Sequence, residues 1–469
     1  MIDTQCLAAI LPGARWFGHK GRVVESVSVW DHSIIEDGPP ALVLALVETS
    51  FSDGSSSLYQ MPVLVEVDGA LRDALEEPDR LAVFGDLMAY GHTLKGDEGS
   101  FEFGGAGLDP STPPGHESIR VMTAEQSNSS LVFDDKTILK LFRRLDIGPN
   151  PDLELNQVLT SEGFDHVPPQ VGDISYRREV EGEDVVVHLG LAQRFIPDAA
   201  DGWDHVLAHL RALYDQIDPA DAREDISSLI KERSEEILRQ IAELGEATAA
   251  LHVVLAREGF VPDIAPEPIT PEDLERWATE CEASCDVLTK ADVEVDAATV
   301  KMLIGQLRDV PAAGMKIRIH GDFHLGQVMW TPRGWMITDF EGEPARPMEK
   351  RRAKHSALKD VAGMLRSFSY AASAALFERA DPGSEGWSQL EPWAIAWEDL
   401  ARSAFVDAYL SKSHEGTFLP ADRDDIAVMG SVFELDKALY ELGYEMGNRP
   451  DWARIPARGI QRALAREQA

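Results

Sequence analysis

Residues 319–327 read Ile-His-Gly-Asp-Phe-His-Leu-Gly-Gln, and residues 337–343 read Ile-Thr-Asp-Phe-Glu-Gly-Glu. The runs Met315–His320, Gln327–Trp330 and Trp335–Thr338 have strand length and are parted by Gly- and Pro-containing turns. This β island sits among helical patterns. Asp201–Ile217, Asp225–Arg257, Pro271–Thr289 and Ala297–Val310 precede it, and Ser356–Ala380, Pro392–Ser411 and Asp422–Gly447 follow, all apolar at helical spacing. Further upstream the pattern turns to strands: Val23–Trp30, Ala41–Val47 and Tyr59–Val67. A Gly/Pro-rich connection, Gly104–Gly115, leads to Ser118–Ala124, Ser129–Phe133 and Thr137–Phe142. A helix over Asp152–Glu162 and one or two strands over Asp184–Phe195 complete this part. The chain therefore reads as α+β, with a β-rich cap over 1–100, a β-rich lobe over 101–200 and a mainly helical lobe over 201–469.

The island carries chemistry as well as structure. Phosphoryl transfer from ATP needs one carboxylate to orient the acceptor hydroxyl and take its proton, and oxygen ligands to hold Mg²⁺ on the phosphates. Protein kinases place that base and the first metal ligand five residues apart, in a D-x-x-x-x-N loop. Asp322 and Gln327 have the same separation, and Gln offers the amide oxygen of Asn on a chain one carbon longer. Asp339, at a strand end and followed by Phe, stands where a second metal ligand belongs. His324, two residues past the base, either faces the substrate or orients the loop.

A kinase also needs a phosphate-facing turn, a lysine and a helix carboxylate upstream. Ser127, Asn128 and Ser129 form a small polar turn able to offer N–H groups and hydroxyls, though without the usual glycines. Lys140 lies inside an apolar strand, where its charge is costly unless used, and Glu154 opens the next helix, placed to pair with it. In the last long helix, at about 100° per residue, Leu435, Ala438, Leu439, Leu442 and Met446 form one apolar stripe. Lys437, Tyr440 and Tyr444 fall opposite it, which suits either a sugar stacked on the rings or packing against a neighbouring element.

Composition bounds the partners. The 469 residues include 44 Lys and Arg against 81 Asp and Glu, a formal net charge of −37. So acidic a surface repels nucleic-acid phosphates and anionic lipid, so neither nucleic acid nor membrane is an expected partner. No apolar run approaches a membrane span, Met1–Ile10 lacks a basic start, and three cysteines, Cys6, Cys281 and Cys285, fit a reducing compartment. A cytoplasmic location is expected.

The segments Ala124–Asn128, Leu139–Arg144, Asn150–Thr160, His320–Val328, Asp339–Pro344, Asp360–Ala371 and Glu434–Pro450 resemble the bacterial maltokinase family, as do Arg15–Phe17 and Lys20–Arg22 in the cap. That family belongs to the aminoglycoside-phosphotransferase-like branch of the protein-kinase-like fold, so the resemblance implies a bilobal kinase. It implies Asp322 as base, Gln327 and Asp339 as Mg²⁺ ligands, Lys140 and Glu154 as the nucleotide-lobe ion pair, and His324 at the sugar. The implied reaction moves the γ-phosphoryl group of ATP to the anomeric hydroxyl of maltose, feeding glycogen or α-glucan synthesis with a link to trehalose synthase. Glucosamine or another small sugar is the alternative acceptor, and a non-catalytic sensor of the same fold the alternative class.

Overall fold

The computed structural model describes residues 2–19, 21–105, 118–122, 128–217, 225–291, 295–343 and 346–467. The chain divides into two compact units, Met1–Pro197 and Asp198–Ala469.

The first unit is built on two sheets. Three long antiparallel strands, Val24–Glu36, Ala41–Phe51 and Ser56–Val65, form one, extended by Leu71–Asp73 and Arg144–Leu145. Side chains alternate along a strand with period two. Leu42, Leu44 and Leu46 thus enter one core with Phe101, Leu131, Leu139 and Leu141, while Val43, Ala45 and Val47 enter another with Trp16, Phe17, Tyr59 and Met61. The strand Ala41–Phe51 belongs to both cores, which is why it reads as a nearly continuous apolar run.

The second sheet has seven strands, with Gln170–Val180, Glu183–Arg194, Thr137–Phe142 and Asn128–Phe133 adjacent in that order. Gln170–Val180 has no counterpart in the sequence reading. Its Asp173, Arg177 and Arg178 break the apolar pattern, and register shifts at Gln170/Gly172 and Ile174/Ser175 break the alternation. Much of the expected Gly104–Gly115 connection lies outside the described residues.

In the second unit the β island folds as an antiparallel hairpin, Val328–Thr331 with Gly334–Ile337, joined on its outer edge by Ala200–Asp201. Around it stand the helices Glu235–Leu255, Leu358–Phe377, Glu385–Ser413 and Arg423–Asn448. The helix expected from Asp225 to Arg257 breaks at Ser234, whose φ of −117° and ψ of 15° are not helical. The helix expected to open at Pro392 begins at Glu385 instead. Ser384 caps it by accepting from the Trp387 N–H, and Pro392 is carried inside. Proline at a helix start is only a preference, and a longer packed helix overrides it here.

Leu358–Phe377 is buried along nearly its whole length. It presents Gly363 to the 319–327 segment so closely that a Cβ there would stand 2.6 Å from the Phe323 carbonyl oxygen. Only glycine lets the helix and the loop meet at this distance. Among the described residues, no helix is long and apolar enough to cross a membrane.

Candidate active site

The loop is held from below by one carboxylate. Asp360 is buried, and it accepts from the His320 N–H at 2.8 Å and the Gly321 N–H at 2.9 Å. Its Oδ2 also lies 3.2 Å from His252 Nε2, and His252 Nδ1 is 2.9 Å from the Tyr409 hydroxyl. Burial works to raise the Asp360 carboxyl, but His252 and the loop N–H groups outweigh it and keep its pKa below the ordinary value. His320 ties the loop to the hairpin, its Nε2 standing 2.9 Å from the Thr338 carbonyl oxygen. Gly321, at φ +83°, turns the chain so that Asp322 projects upward from this support.

Asp322 meets a cation. Lys437 Nζ lies 3.3 Å from Asp322 Oδ1, and the ring of Tyr440 is centred 5.4 Å from the same nitrogen. Burial would lower the Lys437 pKa, but Asp322, Glu441 and Glu343 outweigh it and raise it, so the ammonium is retained at neutral pH. Tyr440 is pushed up to about 12, first by burial and then by its hydrogen bond to Glu343. Asp322, Glu343, Arg346, Asp436, Lys437 and Tyr440 line a cavity of about 30 Å³.

His324 is placed by the loop it also shapes. The Gly326 N–H donates to His324 Nδ1 at 3.1 Å, capping the turn Leu325–Gln327, and His324 Nε2 is 3.9 Å from Asp322 Oδ2. Of the two roles open to His324, orienting the loop is the one this hydrogen bond supports. The turn delivers Gln327 to the hairpin, where the Thr338 N–H donates to the Gln327 carbonyl at 3.0 Å. Asp339 follows directly, with φ +67°, a left-handed conformation that a non-glycine residue rarely adopts and that often marks a functional position. Gln327 and Asp339 therefore sit on neighbouring strand ends. Tyr444, one turn beyond Tyr440, is 51% exposed and Tyr440 is 43% exposed, so neither ring is a core residue.

In the first unit Lys140 Nζ forms an ion pair with Asp152 Oδ2 at 3.0 Å. The helix Pro151–Ser161 is capped by Asn150, whose side chain accepts from the Asp152 and Leu153 N–H groups. Asp152, which is buried, stands beside Lys140, and Glu154, two residues on along the same helix, is half-buried. Asn128 and Ser129 are not in a turn; both are buried in the strand Asn128–Phe133. The Ser129 hydroxyl accepts from Arg143 Nε at 2.8 Å, and Arg143, wholly buried, also pairs with Asp73 at 3.0 Å. Ser129 thus anchors a buried guanidinium. Ser127 lies outside the described residues. The sequence reading missed Asp152, and it gave Asp360 no role.

Burial lowers the pKa of four histidines: His19, His324, His355 and His209, the last to about 4 with help from His205. Each stays neutral in the folded chain while an unfolded histidine takes a proton below about pH 6.5. Stability therefore falls as pH drops below about 6.5 and keeps falling toward 4. Melting temperatures measured from pH 8 to pH 5 should decline steadily below 6.5; a flat profile contradicts this.

Residues 204–393 match the phosphotransferase enzyme family, and residues 11–88 match the maltokinase N-terminal cap domain. Fold and matches together define a phosphotransferase with a kinase-like fold, sheet-rich in its N-terminal part and helical in its C-terminal part. Over 351 residues, 72% of this chain and 77% of the relative, it is 27% identical to a glucosamine kinase of Mycolicibacterium smegmatis. A glucosamine kinase of Streptacidiphilus jiangxiensis is 26% identical over 349 residues, 72% of this chain and 71% of its own length. A solved glucosamine kinase, in complex with glucosamine, ADP and inorganic phosphate, superposes with a TM-score of 0.68 at 19% identity, covering 98% of this chain and 99% of that one.

Proposed function

We propose that the protein transfers the γ-phosphoryl group of ATP to the anomeric hydroxyl of maltose, giving maltose 1-phosphate. The observation that carries this reading is the Lys437–Asp322 pair beside Tyr440, with Tyr444 exposed one turn along the same helix. In this reading the reacting hydroxyl enters the cavity at Asp322 and the rest of the sugar lies outward, against aromatic faces. Two tyrosines a turn apart give a longer wall than a single ring needs. The match of residues 11–88 to a cap domain named for maltokinase points the same way. The reading brings with it a product suited to α-glucan synthesis and a functional link to trehalose synthase.

In this mechanism Asp322 orients the acceptor hydroxyl and accepts its proton, and Lys437 fixes the carboxylate. His324 keeps the loop in register. Lys140, steadied by Asp152, faces the nucleotide phosphates, with Glu154 on the same helix. The Gln327 amide and the Asp339 carboxylate are hard oxygen donors that suit Mg²⁺, which takes one or two carboxylates together with phosphate oxygens. When bound, Mg²⁺ neutralises charge on the transferring group. Activity should vanish in EDTA and return with Mg²⁺, Asp339→Ala should be inactive, and Gln327→Ala should need more Mg²⁺. Transfer without a metal contradicts the assignment.

A second reading, with glucosamine as acceptor, is favoured by the names of the relatives above. Phosphorus NMR on a panel of maltose, glucosamine, glucose and trehalose with ATP and Mg²⁺ separates the two. Under the maltose reading, Tyr444→Ala raises the maltose KM by roughly 2- to 10-fold, as for one aromatic contact, with less effect on kcat. Phosphorylation of glucosamine but not maltose replaces the first reading with the second.

A further inference from the structure

The helix Arg423–Asn448 carries Lys437, the cation at Asp322, and Glu441 stands four residues on, one turn away along the same face. Burial works against the Lys437 ammonium, and after Asp322 the charge that does most to keep it is Glu441. Glu441 is held in turn from the helix Leu358–Phe377. Arg366 Nε donates to Glu441 Oε2 at 2.8 Å, and the Arg366 side chain is only 2% exposed. Its Nη1 lies 3.5 Å from the Ser369 hydroxyl, which donates to the buried Glu398. Asp322, Lys437, Glu441 and Arg366 thus alternate in sign along one row.

Arg366 also meets the helix Arg454–Glu467. Two arginines of that helix, Arg458 and Arg462, one turn apart, pair with Glu398 at 2.7 and 2.5 Å. Gly459, between them, comes so close to Arg366 that a Cβ there would stand 2.2 Å from its Nη1. At that distance something must shift, and the end of the Arg366 side chain is the part able to move. We infer, on the reading of Asp322 and Lys437 given above, that Arg366 is a positioning residue for phosphoryl transfer: seated by Gly459, it fixes Glu441, which fixes Lys437 and through it the Asp322 carboxylate. A buried charge is costly without its partner, so each member of the row depends on the next. The helix Arg454–Glu467 then serves the acceptor site, although the cavity at Asp322 is lined from other elements.

The test uses the full chain, ATP, Mg²⁺ and the sugar that the panel above shows to be phosphorylated. Glu441→Gln keeps the shape of the side chain and removes its charge, and Gly459→Ala forces the guanidinium aside. Each should lower kcat/KM for the sugar by about 3- to 30-fold, within the usual coupling of groups in contact, and leave the ATP KM within about twofold of wild type. ADP titration reports folding, and Glu441→Gln decides alone should Gly459→Ala fail to fold. A merely structural role is separated by Lys437→Met. In that background either substitution should cost less than about twofold more, because the row acts only through Lys437. Wild-type kcat/KM in a folded single variant, or losses that simply multiply in the double variants, overturn the inference and leave the reading of Asp322 standing. A Lys437→Met enzyme with wild-type kcat/KM overturns both.

Discussion

Asp322→Asn is expected to lower kcat for sugar phosphorylation by about 10²–10⁴-fold, the usual contribution of a positioned general base. The substitution keeps the size of the side chain and removes only the carboxylate that accepts the proton. Nucleotide affinity, read by ADP titration, should stay close to wild type, because in this mechanism Asp322 acts on the acceptor. Lys437 loses its partner at 3.3 Å, so part of the loss should appear as a weaker hold on the sugar. An Asp322→Asn enzyme with near-wild-type turnover would remove this residue from the mechanism and the proposed function with it.

The second large effect is expected at Asp360. This buried carboxylate holds two loop N–H groups and His252, so Asp360→Ala leaves three groups without their acceptor. Breaking a buried charged network from one side typically costs 3–5 kcal/mol. The midpoint of urea unfolding should fall accordingly, and phosphorylation should be lost even where the variant is still folded. Because hydrogen bonds hold the Asp360 pKa below its ordinary value, its contribution to stability is present above the unfolded carboxyl pKa, near 4, and disappears as acid protonates it. Unchanged stability in Asp360→Ala would show that the loop is anchored elsewhere.

These two residues also mark what a sequence can and cannot disclose. The placement of Asp322, Gln327 and Asp339 on one loop and hairpin is legible because their relation is local: a loop and a two-residue hairpin turn fix their spacing. Asp360 stands about forty residues from the loop it holds, and nothing nearby in the chain announces that partner. Asp152 was missed for a related reason. Only the packing of the helix on its sheet shows that Asp152, next to the capping residue Asn150, reaches Lys140. Lys140 itself was legible from the cost of its charge in an apolar strand, a cost offset in the structure by Asp152 at 3.0 Å.

Ser129 misled because small polar residues serve turns and buried strands equally well. Arg143, which occupies its hydroxyl, is fourteen residues away. The wheel over Leu435–Met446 succeeded in direction, since Tyr440 and Tyr444 do face outward. At Pro392 a local preference lost to tertiary packing along Glu385–Ser413.

The strand Ala41–Phe51, with one row of side chains in each of two cores, has a consequence for how the first unit comes apart. Neither core can open while the other stays closed, because both are sealed by the same backbone. Amide hydrogens along 41–51 should therefore exchange together with those of Thr137–Phe142 and Glu183–Arg194, as one slow cooperative block. Deleting the N-terminal ninety residues would strip Leu42, Leu44 and Leu46 from beneath Phe101, Leu131 and Leu139. The truncated lobe would then present that sheet face to water and aggregate. The N-terminal segment is thus an inseparable half of the sandwich, and a lineage of this enzyme could discard it only by rebuilding the sheet beneath.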